Sequence, residues 1–286
     1  MLDAPTGSGK TLIAELVRQS LDARALYLCS SIALQTQFHR DFPYSTILKG
    51  RTNYPTLDSP NISKLNAGDC TKVRTTLPAC FECTDDSPDA MHCRWCHPVT
   101  QCPYEIAKSQ AIRSPLVCTN IQYFLYEANY VGNLPLNRQL IIVDEADTLE
   151  DVMMSFVEVS VTARKAKEYG IEPPAKKTVE SSWVEWAIEA EAKLRAHKVI
   201  GDGIDAIRAR SAHKRLLDNV KRLNDPLTGL VGGGWVYTGY DKGDIAFKPV
   251  TIDSLTRDYL FRHSPRWLLM SATTISFPIF AETLGL

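Results

Sequence analysis

The chain has 286 residues, 44% of them hydrophobic, and a formal net charge of −1. That is enough apolar material for one large domain or two to three small ones, while the near-neutral balance excludes a global basic field, so any nucleic acid must be held in a local groove. No run approaches the ~18 apolar residues of a membrane span, and the opening MLDAPTGSGK lacks a basic-then-apolar leader pattern, so a cytoplasmic protein with no membrane partner is expected.

Ala4-Pro5-Thr6-Gly7-Ser8-Gly9-Lys10-Thr11 has the form of a phosphate-binding loop. Thr6, Gly7, Ser8 and Gly9 are small enough for the backbone to curl and aim its N–H groups at phosphate oxygens. Lys10 would pair with the β and γ phosphates of ATP, and the Thr11 hydroxyl would ligate Mg²⁺. Leu12, Ile13, Leu16, Val17 and Leu21 recur at helical spacing, so a helix is expected to start here, with these residues on one face and its N-terminal dipole favouring the phosphates. Only Met1-Leu2-Asp3 precede the loop. A phosphate loop normally follows a buried strand of about five residues, so the first strand is expected to be missing and the chain to be a fragment or a truncated reading frame.

Eight cysteines follow two patterns. Cys29 and Cys118 lie in apolar, strand-like runs and read as buried packing residues. Cys70, Cys80, Cys83, Cys93, Cys96 and Cys102 fall in a segment rich in turn residues and poor in apolar periodicity. Such a segment needs a staple, and in a reducing compartment clustered cysteines favour metal over disulfide. Zinc and iron–sulfur centres both accept four thiolates. The two CxxC pairs alone favour zinc, which His92 and His97 could also serve.

Leu140-Ile141-Ile142-Val143 reads as a buried parallel strand. It runs into Asp144-Glu145-Ala146-Asp147, at the crevice where open α/β sheets bind ligands. Asp144 would hold Mg²⁺ through water, and Glu145 would polarise the attacking water. From 151 to about 240 an insertion is expected. Ser182-x-x-Glu185 is a candidate capping box, with Trp183, Trp186, Ala187, Ala190 and Leu194 at helical spacing after it. A second helix over roughly 204–224 carries Arg208, Arg210, Lys214, Arg215, Lys221 and Arg222 against Asp218. It reads either as a solvated face or as a surface for single-stranded DNA. Ile245–Val250 reads as an edge strand returning to the main sheet, and Trp267–Met270 as a further strand entering Ser271-Ala272-Thr273.

The series APTGSGKT, DEAD and SAT, in that order, resembles the first motor domain of a superfamily 2 helicase. Leu48-Lys49-Gly50-Arg51-Thr52-Asn53-Tyr54 resembles the LKGRxNY run, and Cys102-Pro103-Tyr104-Glu105 the CPY run, that flank the cluster of XPD/DinG-type iron–sulfur helicases. Ser30–Gln37 is similar to the segment that touches the DNA backbone in such motors, and Leu116–Asn120 to the strand after the cluster, with Asn120 at the family's asparagine. The resemblance implies an α/β, RecA-like P-loop parallel sheet with a cysteine-rich metal-binding insert and a helical arch-like insert. It divides the chain into motor segments at 1–54, 103–150 and 241–286, a cluster insert at 55–102 and an arch-like insert at 151–240. It also implies a [4Fe–4S] cluster held by Cys70, Cys93, Cys96 and Cys102, with Cys80 and Cys83 as the alternative middle pair and zinc as the alternative metal. The expected partners are single-stranded or forked duplex DNA and a second RecA-like domain, absent here, without which hydrolysis is slow. The expected setting is a bacterial or phage-infected cytoplasm. The sequence departs from the pattern at Asp147, where the family has His, and at Pro55-Thr56, where it has Cys soon after NY. A DEAD-box-like RNA helicase, or a non-catalytic ATP- and DNA-binding module with structural zinc, are the alternative readings.

Overall fold

The computed structural model describes residues 2–3, 7–55, 66–67, 103–131, 134, 137–200, 204–239, 244–273 and 276–286. Thr6 and the six clustered cysteines, the four named as cluster ligands among them, lie outside the described residues. In chain order the elements are β1 (Leu2–Asp3), α1 (Lys10–Ser20), β2 (Ala25–Cys29), α2 (Ile32–Asp41), β3 (Thr46–Leu48), α3 (Pro103–Arg113), β4 (Leu116–Asn120), α4 (Ile121–Tyr126) and β5 (Leu140–Val143). They continue with α5 (Leu149–Val157), β6 (Val159–Val161), α6 (Ala163–Tyr169), α7 (Glu180–Ala196), α8 (Ile204–Leu223), β7 (Trp235–Tyr237), β8 (Ile245–Pro249), α9 (Asp253–Tyr259), β9 (Trp267–Ser271) and α10 (Phe277–Leu284). Two compact units result, one of Met1–Val152 with Leu255–Leu286, the other of Met153–Ser254.

The first unit is built on a six-stranded sheet of order β1-β9-β5-β2-β4-β3, parallel throughout. The ALYLC of β2 and the LIIV of β5 are buried along their whole length, as expected for strands covered on both faces. Register sets Ala25 against both Leu116 and Leu140 and Ile141 against Trp267, which carries Cys29, Asn120, Asp144 and Ser271 to the same edge of the sheet. At the opposite edge the Arg138 guanidinium donates to the Ala111 and Ser114 carbonyls, both at 2.6 Å, at and just beyond the last turn of α3, where a helix leaves carbonyls unpaired. Burial and the nearby Arg24 charge push the Arg138 pKa down to about 9.

Two expectations fail in this unit. The strand thought to be missing is present as two residues, because Leu2 and Asp3 are enough to pair with Met270 and Ser271. The apolar face expected on α1 is also turned the wrong way: Leu12, Ile13, Leu16 and Leu21 are exposed, while Ala14 and Glu15 are buried and Val17 packs on the core. What seats the helix is a polar network. Glu15 accepts from the Arg18 guanidinium twice at 2.7 Å and from the Tyr44 hydroxyl at 2.9 Å.

The second unit pairs α6, α7 and α8 with a three-stranded antiparallel sheet of order β6-β8-β7. The insert expected to be helical thus also contains a sheet, and the strand expected at the edge of the motor sheet, β8, is the central strand of this one. Pro249 is tolerated because it stands at the strand's last residue, opposite Trp235. The core is aromatic: Trp183 stacks on Tyr237 with ring centroids 4.0 Å apart, and Trp186 lies over Phe247 at 5.6 Å. Both indole N–H groups find carbonyls, Trp183 on Lys177 at 2.8 Å and Trp186 on Ile171 at 3.0 Å. The proposed capping box is absent, since α7 begins at Glu180 after Val179, which places Ser182 inside the helix. On α8, Lys214 and Arg215 are exposed, whereas Arg222 lies over the Trp235 ring at 5.6 Å.

Candidate nucleotide site

Gly7 and Gly9 adopt φ of 81° and 82°, a left-handed backbone that residues with a side chain rarely enter. The two glycines turn the loop so that α1 starts at Lys10. Lys10 and Thr11 are then the first residues of a helix whose N-terminal N–H groups have no partner within the helix, the arrangement that favours a phosphate.

The facing wall is the end of β5. Asp144 is fixed on three sides: its N–H donates to the Leu28 carbonyl at 2.9 Å, its Oδ1 accepts the Glu145 N–H at 3.1 Å, and its Oδ2 accepts the Tyr27 phenol at 2.7 Å. Burial, with the Asp144 charge and hydrogen bond next, pushes the Tyr27 pKa far above its ordinary value, so the phenol keeps its proton and remains a donor. Tyr27 therefore fixes the carboxylate at the end of the neighbouring strand, β5.

Glu145 occupies the left-handed region, φ 52° and ψ 47°, a conformation costing about 1–2 kcal/mol for a residue with a side chain. It is exposed, and its carboxylate accepts a hydrogen bond from the Ser30 hydroxyl at the end of β2. Asp147 accepts the Ser271 hydroxyl at 2.7 Å and the Thr273 hydroxyl at 2.6 Å, while Thr273 N–H donates to Ser271 Oγ at 3.1 Å. A carboxylate offers two adjacent acceptors where an imidazole offers one, which is a physical reason for aspartate at this position. Burial works to raise the Asp147 pKa, but the Thr273 and Ser271 hydroxyls and the Lys10 charge outweigh it and hold the group below the usual aspartate range.

The fold thus brings Lys10, Thr11, Asp144 and Glu145 to one end of one sheet and ties Asp147 to the SAT segment. Tyr27 and Ser30 complete the site, and neither is marked by spacing. Tyr27 sits in an apolar strand run, where an aromatic residue reads as ordinary strand chemistry. Its signal was a hydroxyl two residues from the end of a strand beside the DEAD strand. Cys29 and Cys118 are buried as expected, their sulfurs 3.9 Å apart. As a donor set for a hard cation, the Thr11 hydroxyl and the Asp144 carboxylate suit Mg²⁺, which prefers oxygen ligands and retains several waters.

A parallel sheet whose strand ends gather a phosphate loop and an acidic pair is a RecA-like P-loop fold. Residues 90–166 match the DEAD_2 family model. A solved structure titled XPD_Helicase superposes with a TM-score of 0.53 at 15% identity, covering 99% of this chain and 56% of that chain. A second, titled Truncated XPD, gives 0.49 at 16% identity, covering 99% of this chain and 91% of that one. This chain therefore spans little more than half the length of the first. No curated protein matches it. The family match is confined to residues 90–166, and the superposition shows a shared fold.

Proposed function

We propose that the chain is the first motor domain of an ATP-dependent DNA helicase, binding Mg–ATP at Gly7–Thr11 and Asp144 and moving along single-stranded DNA. The observation that carries this is the convergence, at the carboxyl ends of one parallel sheet, of the Gly7–Gly9 turn that starts α1 at Lys10 with the Asp144–Glu145 pair, whose Asp144 is fixed by Tyr27. In this reading the loop amides and Lys10 hold the phosphates, and Thr11 and Asp144 hold the cation, which would neutralise charge on the β and γ phosphates. Glu145 orients the attacking water. Asp147 passes the presence or loss of the γ-phosphate to Ser271, the last residue of β9, and to Thr273 just beyond it. Thr6 belongs to the same loop. Full turnover needs a second RecA-like domain supplying an arginine, a group worth ~10³–10⁵ in rate in related hydrolases.

Lys10→Ala is expected to abolish binding of a fluorescent ATP analogue, and Glu145→Gln to keep it while turnover in the whole enzyme falls at least ~10²-fold. Normal hydrolysis by Glu145→Gln would remove the role given to that residue. The reading extends to a [4Fe–4S] cluster on Cys70, Cys93, Cys96 and Cys102, the last three of which fall within the DEAD_2 match. Anaerobically purified protein is expected to hold about four irons per chain, and stoichiometric zinc in their place would refute the cluster.

A further inference from the structure

A tyrosine and two histidines of the second unit meet from three helices. Tyr169 is the last residue of α6, His197 follows the last residue of α7, and His213 lies within α8. Tyr169 packs nearly perpendicular to His197 at 4.7 Å and lies 5.4 Å from His213, while the two imidazole centroids are 5.6 Å apart with their planes inclined at 40°. His197 is exposed and His213 half-buried. The Nδ1 atom of His213 is itself buried and has no hydrogen-bond partner. A buried polar atom left unpaired is costly, and in a native fold it usually answers to a water, an ion or a chemical role. Imidazole nitrogen is the commonest protein ligand for divalent transition ions. Metal–nitrogen bonds of about 2.0–2.1 Å at a tetrahedral angle set two imidazole centroids about 5 Å apart, so the observed 5.6 Å needs only a small adjustment at the exposed His197.

We propose that His197 and His213 bind a divalent transition ion such as zinc, which staples the end of α7 to α8. The donors select that class of ion. Neutral imidazoles suit zinc, nickel and copper, whereas Mg²⁺ and Ca²⁺ take oxygen ligands. Tyr169 is the wall of the site and not a ligand: burial, with the Glu168 charge next, raises its pKa above the ordinary tyrosine value, so the phenol keeps its proton. Among the described residues no third His, Cys, Asp or Glu joins the pair, so water fills the remaining positions. Such a site is open and exchangeable, unlike the closed four-ligand site of a structural zinc. Its effect is mechanical. The two helices are already tied further along, where Asn224 donates to the Ala187 carbonyl at 2.9 Å and to the Glu191 carboxylate at 2.7 Å. The ion adds a second tie at the C-terminal end of α7 and, by binding only the folded arrangement, stabilises it. The site lies wholly within the second unit, and it stands or falls independently of the nucleotide reading.

The test reads each imidazole separately from any metal held by the clustered cysteines. The full chain is labelled with diethyl pyrocarbonate while free zinc is set by a metal buffer, and modification is located by mass spectrometry. Labelling of His197 is expected to fall about tenfold once free zinc is about ten times the dissociation constant, with His39 and His263 as unchanged references. Magnesium in place of zinc should protect neither histidine of the pair, and Tyr169→Phe should keep the zinc protection. In His213→Asn, zinc should no longer protect His197. His197→Asn changes an exposed position and leaves the core untouched, and there zinc should no longer protect His213, so the pairing is tested even if His213→Asn fails to fold. The site is overturned if His197 labels alike at every zinc concentration, or if magnesium protects as well as zinc. It is equally overturned if either histidine remains protected when the other is replaced, which would mark binding to a single imidazole.

Discussion

The two compact units use opposite chemistry to hold their sheets. In the first, β2, β4 and β5 are almost wholly apolar and buried, and polar residues are pushed to the strand ends, where they meet as Tyr27, Ser30, Asp144 and Ser271. In the second, the edge strand β6 alternates, with Val159 and Val161 buried around an exposed Ser160, the central β8 is mostly buried, and the core is a cluster of tryptophans, tyrosine and phenylalanine. Parallel strands point their carboxyl ends the same way, so one edge collects every side chain that follows a strand. An antiparallel sheet scatters those positions to both edges. The contrast says that site chemistry should be sensitive to small polar changes in the first unit, while the second should respond mainly to lost packing.

Trp186→Ala is the harshest test of that contrast. Trp186 is buried, spans the sheet through Phe247 and pins Ile171 by its indole N–H. Truncating such a side chain costs about 3–5 kcal/mol. The expected result is an early unfolding transition, or loss of protease resistance confined to 153–254, with ATP-analogue binding unchanged. Loss of nucleotide binding in parallel would mean that the two units do not divide the work in this way.

Tyr27→Phe removes one hydroxyl from the first unit. A hydrogen bond to a charged acceptor contributes about 1.5–3 kcal/mol, so Mg-dependent affinity for the ATP analogue should fall roughly tenfold or more while the fold is retained. Since the phenol pKa is raised, the difference should hold across neutral and alkaline pH. An unchanged affinity would show that Asp144 is oriented well enough by Leu28 and its own chain.

Much of the first unit was legible because its signals are local. A run such as Leu140–Val143 can bury itself only as a central strand, and small residues before Lys10 can only be a tight turn at a helix start. The periodic leucines of α1 misled because periodicity reports that a helix has an apolar face, not that this chain covers it. The seating of α1 depends on Glu15 meeting Arg18 and Tyr44, and Tyr44 lies 29 positions away. Ile245–Val250 misled for the converse reason. Proline marks an edge or a strand end with equal force, and only the pairing with Val159–Val161 and Trp235–Tyr237 decides between them. Tyr27 gave no pattern at all, and Ser30 stood only at the head of the Ser30–Gln37 segment, since their contacts in the site depend on partners more than 110 residues distant, at Asp144 and Glu145.

The smallest expected effect compares one helix cap from each unit. Thr162 caps α6 by accepting the Lys165 N–H at 3.4 Å, and Thr162→Ala should cost about 1 kcal/mol. Asn120 caps α4 in the same manner but also donates to Ser30. Asn120→Asp keeps an oxygen for the cap and replaces the donating amide with a second acceptor facing the Ser30 carbonyl. Asparagine and aspartate are nearly equal as caps, so thermal stability should shift by no more than about 0.5–1 kcal/mol, close to the Thr162 value. The two variants should part on turnover. Asn120 holds the Ser30 carbonyl, and the Ser30 hydroxyl donates to Glu145, so Asn120→Asp should lower ATP hydrolysis by the whole enzyme while Thr162→Ala leaves it untouched. Equal turnover in the two variants would reduce Asn120 to an ordinary cap.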